Sequence, residues 1–202
     1  MSEYPLPYQS TDLSGQVAFV TGTTAGLGRR FAQVLAACGA KVIVTGRRVD
    51  RLEALSAEIN ASGGQAAPVA VDMTDRSSIR NALQAAEDLF GTVTILVNNA
   101  GIPDAQRAVK MDDALMDAVF ETNLIGPWVL SVEVAKRLIA AELPGRIVNI
   151  ASIAAFNTTA QSAATLYSTT KSAIVRMTES HAVEWSRYPI NVNCIAPGAF
   201  AS

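Results

Sequence analysis

Residues 17 to 28 read Val17-Ala-Phe-Val-Thr-Gly-Thr-Thr-Ala-Gly-Leu-Gly28 and carry the strongest signal for the fold. Its apolar beginning predicts a buried strand, and its glycines predict a tight turn. A helical spacing of apolar residues then runs from Phe31 to Cys38 and ends at Gly39. A strand, a glycine-rich turn and a helix in this order predict a dinucleotide site, in which the helix N-terminus holds a pyrophosphate.

Three residues separate Gly22 from Gly26 in this turn, and one residue separates Gly26 from Gly28. The usual fingerprint has one residue between its first two glycines and two residues between its last two. Glycine also closes ordinary strand-to-helix turns, so the motif alone leaves a structural role open. The turn residues that we predict to bind the cofactor are Gly22, Thr24, Gly26, Leu27 and Gly28.

A second motif, Tyr167-Ser-Thr-Thr-Lys171, predicts proton transfer. On a helix these two residues share a face, so the lysine ammonium would favour the phenolate of a tyrosine whose ordinary pKa is about 10. Ser152 lies upstream, at the end of the apolar stretch 146–152, where its hydroxyl could stabilise the same substrate oxygen. A solvated helix start remains the alternative interpretation.

Strand-like and helix-like segments alternate along the chain, which predicts a parallel sheet covered on both faces. Proline lacks the donor that a sheet ladder needs, so Pro68 favours an edge position for the third strand. The predicted strands lie near residues 17–21, 41–45, 66–71, 94–97, 146–151 and 190–195. The predicted helices lie near residues 26–38, 50–62, 75–90 and 165–187, with a broken helix over 111–141.

From about Leu13 to its last residue, the chain resembles the short-chain dehydrogenase/reductase family. The matching motifs are Thr21-Gly-x-x-x-Gly-x-Gly28, Asp72, Asn98-Asn-Ala-Gly101, Asn123, Ser152, Tyr167-x-x-x-Lys171 and Pro197-Gly198. The resemblance implies an α/β fold, namely a Rossmann-like doubly wound parallel sheet of order 3-2-1-4-5-6 with helices on both faces. It also implies reversible hydride transfer between NADP(H) and a ketone or secondary alcohol.

The resemblance assigns the catalytic residues. Tyr167 gives or takes the proton, Ser152 donates a hydrogen bond, and Lys171 lowers the tyrosine pKa and holds the nicotinamide ribose. A water chain through Asn123 replaces the proton. The further cofactor contacts that the resemblance implies are Asp72, Met73, Asn99, Ala100, Gly101, Tyr167, Lys171, Pro197 and Gly198.

The end of the second strand favours NADP over NAD. Gly46 stands where an acid would bind the 2'-hydroxyl of NAD, and Arg47 and Arg48 follow. Guanidinium groups pair with a 2'-phosphate through charge-assisted hydrogen bonds. NAD use stays possible, and the two arginines could also simply begin a solvated loop.

Two of these assignments have structural alternatives. Asp72 could cap a helix, although Thr74 or Asp75 is better placed to do so. Asn98 and Asn99 could be simple turn residues, but at the end of the fourth strand they fall at a cofactor edge. Backbone contacts from Asn99 through Gly101 are the preferred interpretation.

Asn123 is singled out by Pro127. In a continuous helix its carbonyl would accept the amide of residue 127, but proline has no amide hydrogen. The Asn123 carbonyl is therefore predicted to be free, and in the family the corresponding carbonyl holds a water linked to the catalytic lysine. An ordinary proline kink is the alternative.

Composition is that of a cytoplasmic enzyme with one domain. The resemblance implies that this is a Rossmann domain over residues 15–202, and residues 1–14 are expected to form a leader. The net charge of −2 argues against nucleic acid, and the apolar stretches are too short for a membrane span. The two cysteines fit buried thiols. His181, the only histidine, is expected at a helix surface or an interface, and no metal site is predicted.

Family members continue beyond the position of Ser202, so we expect a C-terminally truncated chain that lacks the substrate lid and a seventh strand. The loop from Phe156 to Thr165 is longer than usual and is expected at the substrate mouth. A homodimer is expected through the helices at 124–141 and 167–187, and a homotetramer at full length. The apolar residues that suggest this interface are Trp128, Val129, Val132, Ile174, Val175, Met177, Val183 and Trp185.

Three other functions stay open. One is a regulatory module that binds the cofactor without turnover, and another is an NAD-linked alcohol or polyol dehydrogenase. The third is an epimerase or dehydratase on the same fold, which the Ser-Tyr-Lys set favours less.

Overall fold

Six parallel strands form one sheet in the computed structural model, which describes residues 11–104, 106–157 and 164–199. The strand order β3-β2-β1-β4-β5-β6 confirms the predicted order. The strands are β1 Val17–Val20, β2 Lys41–Gly46, β3 Gln65–Ala70, β4 Ile95–Asn98, β5 Gly145–Ile150 and β6 Ile190–Ile195.

Helices connect these strands and cover both faces of the sheet. They are α1 Gly26–Ala37, α2 Val49–Ala61, α3 Arg76–Phe90, α4 Asp113–Phe120, α5 Gly126–Ala140 and α6 Thr165–Glu184. Because side chains alternate along a strand, neighbouring residues of β1 enter different cores. Phe19 packs in the core that contains Leu83 of α3 and Leu130 of α5, whereas Val20 packs in the core that contains Leu52 of α2.

Pro68 lies on an edge strand, as predicted. It is paired with Val44 of β2, and β3 has no neighbour on its other side within the described residues. The missing amide of proline therefore removes no ladder hydrogen bond on the open side of the sheet.

The broken helix over 111–141 has a specific form. A short π-helical turn, Glu121–Ile125, joins α4 to α5 and contains the buried Asn123. The backbone N–H of Gly126 bonds to the carbonyl of Glu121, five residues back, directly before Pro127. The helix thus changes its hydrogen-bond register at the proline, where the sequence predicted a break.

Of the two positions expected for His181, a helix surface or an interface, the helix surface is wrong. Its side chain is buried at 2% exposure, between the rings of Trp185 and Trp128 at centroid distances of 4.2 and 4.8 Å. Burial lowers its pKa, and the neighbouring Glu184 acts in the opposite direction. The sequence prediction failed because the covering Trp128 comes from a different helix.

The two thiols, Cys38 and Cys194, are half-buried and unpaired. No described helix is both long enough and apolar enough to cross a membrane. The predicted leader falls mostly outside the described residues, as do Ser202 and positions 158–163 of the expected substrate-mouth loop.

Because all strands are parallel, their carboxyl ends meet at one edge of the sheet, and Thr21 joins two of them there. Its buried hydroxyl accepts hydrogen bonds from the N–H groups of Asn99 and Ala100, both at 2.9 Å, and donates to the carbonyl of Val97 at 3.3 Å. The loop after β4 is thereby fixed to the end of β1.

We expect Thr21→Val to lower the free energy of unfolding by about 2 to 3 kcal/mol, since two amides lose their acceptor. Thr23→Val is the matched control. Thr23 is equally buried, and its hydroxyl donates to the carbonyl of Thr45, which also accepts the N–H of Thr23. Within the described part of the chain, no amide depends on the Thr23 hydroxyl as its acceptor. Chemical denaturation of both variants tests this expectation, and equal losses would contradict the linking role of Thr21.

Candidate cofactor and catalytic site

A cavity of about 920 Å³ lies at the carboxyl edge of the sheet. Its walls come from the turn after β1, from the ends of β2 and β3, and from the loop after β4. The predicted cofactor residues among its lining are Gly22, Thr24, Gly26, Arg47, Arg48, Asp72, Met73, Asn99, Ala100 and Gly101.

The glycine-rich turn has bare backbone where a ligand would approach. Gly22 has a φ of +70°, and a Cβ there would lie 2.9 Å from the Cα of Ala100. Gly26 has a φ of +55°, but nothing lies within 4 Å of the position that its Cβ would take. The backbone at the start of α1 therefore faces open space, as close approach of a pyrophosphate requires.

Gly28 differs from the other glycines of the turn because it is not part of the cavity lining. A Cβ at Gly28 would overlap the carbonyl of Gly22 and the side-chain amide of Asn99. Its small size lets the helix pack closely against the turn, so any effect on the cofactor is indirect.

The arginine side of the cavity is organised by a hydrogen bond. Arg48 donates from Nη2 to the hydroxyl of Thr24 at 2.6 Å, and Arg47 and Arg48 are both exposed. A Cβ at Gly46 would lie 3.3 Å from the methyl group of Thr24, so a larger residue there would be tightly confined. The cavity thus carries two guanidinium groups directly after Gly46, the position where an acid would favour NAD.

Asp72 is held by its own loop. Its Oδ1 accepts the backbone N–H and the hydroxyl of Thr74, each at 2.9 Å. Asp75 caps α3 by accepting the N–H of Ser77 at 2.7 Å, so the expected capping role belongs to Asp75. Asp72 is left with its carboxylate in the wall of the cavity.

A smaller cavity of about 270 Å³ adjoins the first one. The two share part of their lining, namely Asn99, Gly101, Ile102 and Pro103. The remaining predicted site residues in the second lining are Leu27, Ser152, Tyr167, Lys171, Pro197 and Gly198. The fold therefore brings the candidate catalytic residues against the candidate cofactor site.

Lys171 carries a buried ammonium group. The residue is 4% exposed, and its Nζ donates to the carbonyl of Ile150 at 2.7 Å and lies 5.6 Å from the ring centroid of Tyr167. Burial lowers the pKa of Lys171 from 10.5 to about 8, while Cys194 acts in the opposite direction. An ammonium has three donors, and only one is used by this carbonyl.

Ser152 is positioned by the ends of β5 and β6. Its Oγ accepts the N–H of Ala154 at 3.1 Å, and the N–H of Ile153 donates to the carbonyl of Pro197 at 2.9 Å. The Ser152 oxygen therefore accepts a hydrogen bond from the backbone, and the hydroxyl hydrogen stays available to donate to another partner.

Asn98 and Asn99 point in different directions. The buried Asn98 donates to Ser131 at 2.9 Å and to Asn149 at 2.8 Å, inside the protein. Asn99 donates from its side chain to the carbonyls of Thr21 and Gly22 and lines both cavities. The cofactor edge thus begins at Asn99, and Asn98 stabilises the sheet.

Asn123 does not line either cavity. Its Oδ1 accepts the N–H of Ile102 at 2.8 Å, and its Nδ2 donates to the carbonyl of Ile102 at 2.9 Å and to the hydroxyl of Thr170 at 3.3 Å. The side chain thus fixes the loop after β4 to α6. Pro127 has no amide to offer the Asn123 carbonyl, which is the group that the sequence singled out.

Sequence reasoning missed Asp104 and Thr170. Asp104 is buried and accepts the N–H groups of Leu166 and Tyr167 at the start of α6. One signal was present, because α6 follows Ala164, whose side chain cannot cap a helix. Among the described residues, no group of three or more His, Cys, Asp or Glu side chains could hold a metal ion.

Comparison with known proteins agrees with this geometry. The family model of the short chain dehydrogenases matches residues 16–202. The chain is 38% identical over 186 residues to galactitol 2-dehydrogenase of Agrobacterium fabrum, covering 92% of this chain and 71% of that protein. It is 34% identical to sorbitol dehydrogenase of Cereibacter sphaeroides, with the same coverage of both chains.

Solved structures show the same fold. A short-chain type dehydrogenase/reductase from Mycobacterium marinum superposes with a TM-score of 0.89 at 32% identity, covering 93% of this chain and 74% of that one. A gluconate 5-dehydrogenase from Burkholderia cenocepacia, in complex with NADP and tartrate, superposes with a TM-score of 0.88 at 30% identity, covering 95% and 74%. The chain belongs to the short-chain dehydrogenase family and is an NAD(P)-dependent oxidoreductase that acts on CH–OH groups.

Proposed function

We propose that the protein reversibly oxidises a secondary alcohol to a ketone with NADP as the preferred cofactor and Tyr167 as the proton acceptor. When bound, the nicotinamide cofactor takes up or supplies the hydride. One observation carries the proposal. A buried ammonium, that of Lys171, lies beside the Tyr167 ring in the wall of a cavity that adjoins the arginine-lined one.

The protein residues supply the proton chemistry. In the direction of ketone reduction, Tyr167 donates its phenolic proton to the developing alkoxide, and the Ser152 hydroxyl donates a hydrogen bond to the same oxygen. The positive charge of Lys171 stabilises the phenolate that results. We assign the replacement of the proton to water held at the Asn123 carbonyl.

The chain has the features that an NADP site needs. Gly26 leaves the backbone open at the start of α1, where the helix dipole favours a pyrophosphate, and Gly22 lets the turn pack closely against Ala100. Asp72 and Met73 border the opposite wall. Arg47 and Arg48 supply the charge that a 2'-phosphate would pair with, because charge-assisted hydrogen bonds are stronger than neutral ones.

A sugar alcohol or sugar acid is the substrate class that we propose. Its support is the named activity of the relatives, which include galactitol, sorbitol and gluconate dehydrogenases. The discriminating assay offers galactitol, sorbitol and gluconate separately, with NADP or NAD, and follows the absorbance of the reduced nicotinamide. Cofactor binding without turnover on any alcohol would favour the regulatory module instead.

We also propose a homodimer through α5 and α6, within a cytoplasmic protein whose residues 15–202 form one cofactor-binding domain. The apolar set that suggested the interface divides into two parts. Ile174, Met177 and Trp185 are buried within the chain and belong to its own core, so they cannot contribute to the interface. Trp128 and Val183 are 48% and 75% exposed and are the candidates for contact with a second copy.

Tyr167→Phe should lower kcat by about 10² to 10⁴, because general acid–base catalysis by the phenol is lost. Cofactor affinity should change little, since the ring and the backbone remain. Tyr188→Phe is the matched control, as this half-buried tyrosine lines neither cavity. Steady-state kinetics with the best alcohol decides the matter. A Tyr167→Phe enzyme that keeps more than about a tenth of kcat would rule out the assigned role.

Arg47→Ala should weaken NADP binding by roughly ten- to hundredfold and NAD binding far less, because only NADP carries the 2'-phosphate. Arg51→Ala is the control, since Arg51 is exposed on α2, just after Arg47 in the chain, but lies outside the cavity lining. Each of the two variants is titrated with NADPH and with NADH, and the fluorescence of the bound cofactor gives the affinity for each pair. Equal losses for NADP and NAD would show that the guanidinium does not select the cofactor.

A further inference from the structure

Asp104 is a buried carboxylate that lines neither cavity and yet contacts the helix that carries Tyr167. Its Oδ2 accepts the backbone N–H of Leu166 at 2.9 Å and that of Tyr167 at 3.1 Å. These are the second and third residues of α6, whose amides a neighbouring cap residue would ordinarily satisfy. Asp104 performs that task from 62 residues upstream.

The start of α6 needs this contact. The first amides of a helix have no partner within the helix, and the helix dipole favours a negative charge beside them. The preceding residue, Ala164, makes no side-chain capping bond. A residue outside α6, Asp104, supplies the acceptor for two of these amides.

Tyr167 is held through both its N–H and its carbonyl. The N–H donates to Asp104, and the carbonyl accepts the hydroxyl of Thr170 at 2.8 Å. Thr170 in turn accepts from the side chain of Asn123, which bonds to both backbone groups of Ile102. Both paths lead back to one short segment of the loop after β4, so that segment fixes the backbone of the tyrosine from two sides.

The contact with α6 needs an acceptor oxygen and not a charge. Neutral serine or asparagine caps helices as well as aspartate does, and burial of a charged group is unfavourable unless it is fully hydrogen-bonded. The second carboxylate oxygen of Asp104, Oδ1, is buried and has no hydrogen-bond partner among the described residues. What Asp104 supplies to α6 is therefore one acceptor oxygen, Oδ2, which an asparagine side chain could supply as well.

We propose that Asp104 is a positioning residue for proton transfer: it fixes the first turn of α6 and thereby the reach of the Tyr167 phenol. The inference rests on the proposed function of Tyr167. Displacement of a catalytic group by about 1 Å can reduce the rate about a hundredfold. Because Asp104 lines neither cavity, its loss lowers kcat and leaves the binding of cofactor unchanged.

Asp104→Ala and Asp104→Asn test the proposal by steady-state kinetics on the best alcohol. The alanine variant is expected to lose at least about tenfold in kcat, with the cofactor KM within about twofold of wild type. The asparagine variant keeps an acceptor oxygen and restores kcat to within about threefold. A purely structural role would not produce this separation of kcat from KM together with rescue by asparagine.

Asp75→Ala is the matched control, because Asp75 caps α3 and is not part of either cavity lining. Its Tm should fall by about 2 to 4 °C with an unchanged kcat, as expected when a helix cap is lost. A wild-type kcat in Asp104→Ala would overturn the proposal. An equal loss of kcat in Asp75→Ala would overturn it as well.

If Asp104→Ala does not fold, Asp104→Glu replaces it, since glutamate keeps the charge and shifts it by one methylene. Its kcat must then fall with the cofactor KM unchanged, and a wild-type kcat contradicts the proposal. Tyr167→Phe is assayed in parallel. If that variant stays active, the proposed function of Tyr167 is wrong; if only Asp104 variants stay active, the positioning role alone is wrong.

Discussion

Burial of the Lys171 ammonium beside Tyr167 is the interaction on which the rest of the site depends. A charge removed from water needs hydrogen-bond partners, and the described contact is the carbonyl of Ile150 at 2.7 Å. The pKa of Lys171 falls from 10.5 to about 8 chiefly because of burial. Below pH 8, keeping the ammonium charged therefore destabilises the folded state by about 3 kcal/mol. The sheet and helices around it have to be rigid enough to keep it there.

That rigidity comes from side chains that bond to backbone at the carboxyl edge of the sheet. Thr21 fixes the start of the loop after β4, and Asn123 fixes its middle through Ile102. The loop forms part of both cavity linings, so the same contacts align the cofactor wall with the catalytic wall. Parallel topology makes this possible, because it brings the ends of all six strands to one edge.

The sequence predicted most of the fold because its signals are local. Buried parallel strands appear as short apolar runs, the cofactor turn as a glycine pattern, and the edge strand as a single proline, Pro68. What it could not predict depends on contacts between distant segments. His181 is covered by Trp128 from α5, and Asp104 caps a helix that begins far along the chain. The sequence predicted the π-helical turn before Pro127 only as a break, because residue types do not specify whether a helical turn forms α-type or π-type hydrogen bonds.

The most direct test is the pH dependence of stability in Lys171→Met, compared with wild type and with Lys110→Met, which alters an exposed lysine. Below about pH 8 the Lys171 ammonium is charged in both states, and its cost is fully present in the folded protein. Between that pH and 10.5 the unfolded state binds more protons than the folded state, so stability rises with pH. From pH 7 to pH 10 the free energy of unfolding of wild type should therefore rise by about 2 kcal/mol relative to that of Lys171→Met. Lys110→Met should show no such trend. If the difference in free energy of unfolding between Lys171→Met and wild type does not change with pH, the account of a destabilising buried charge at Lys171 is wrong.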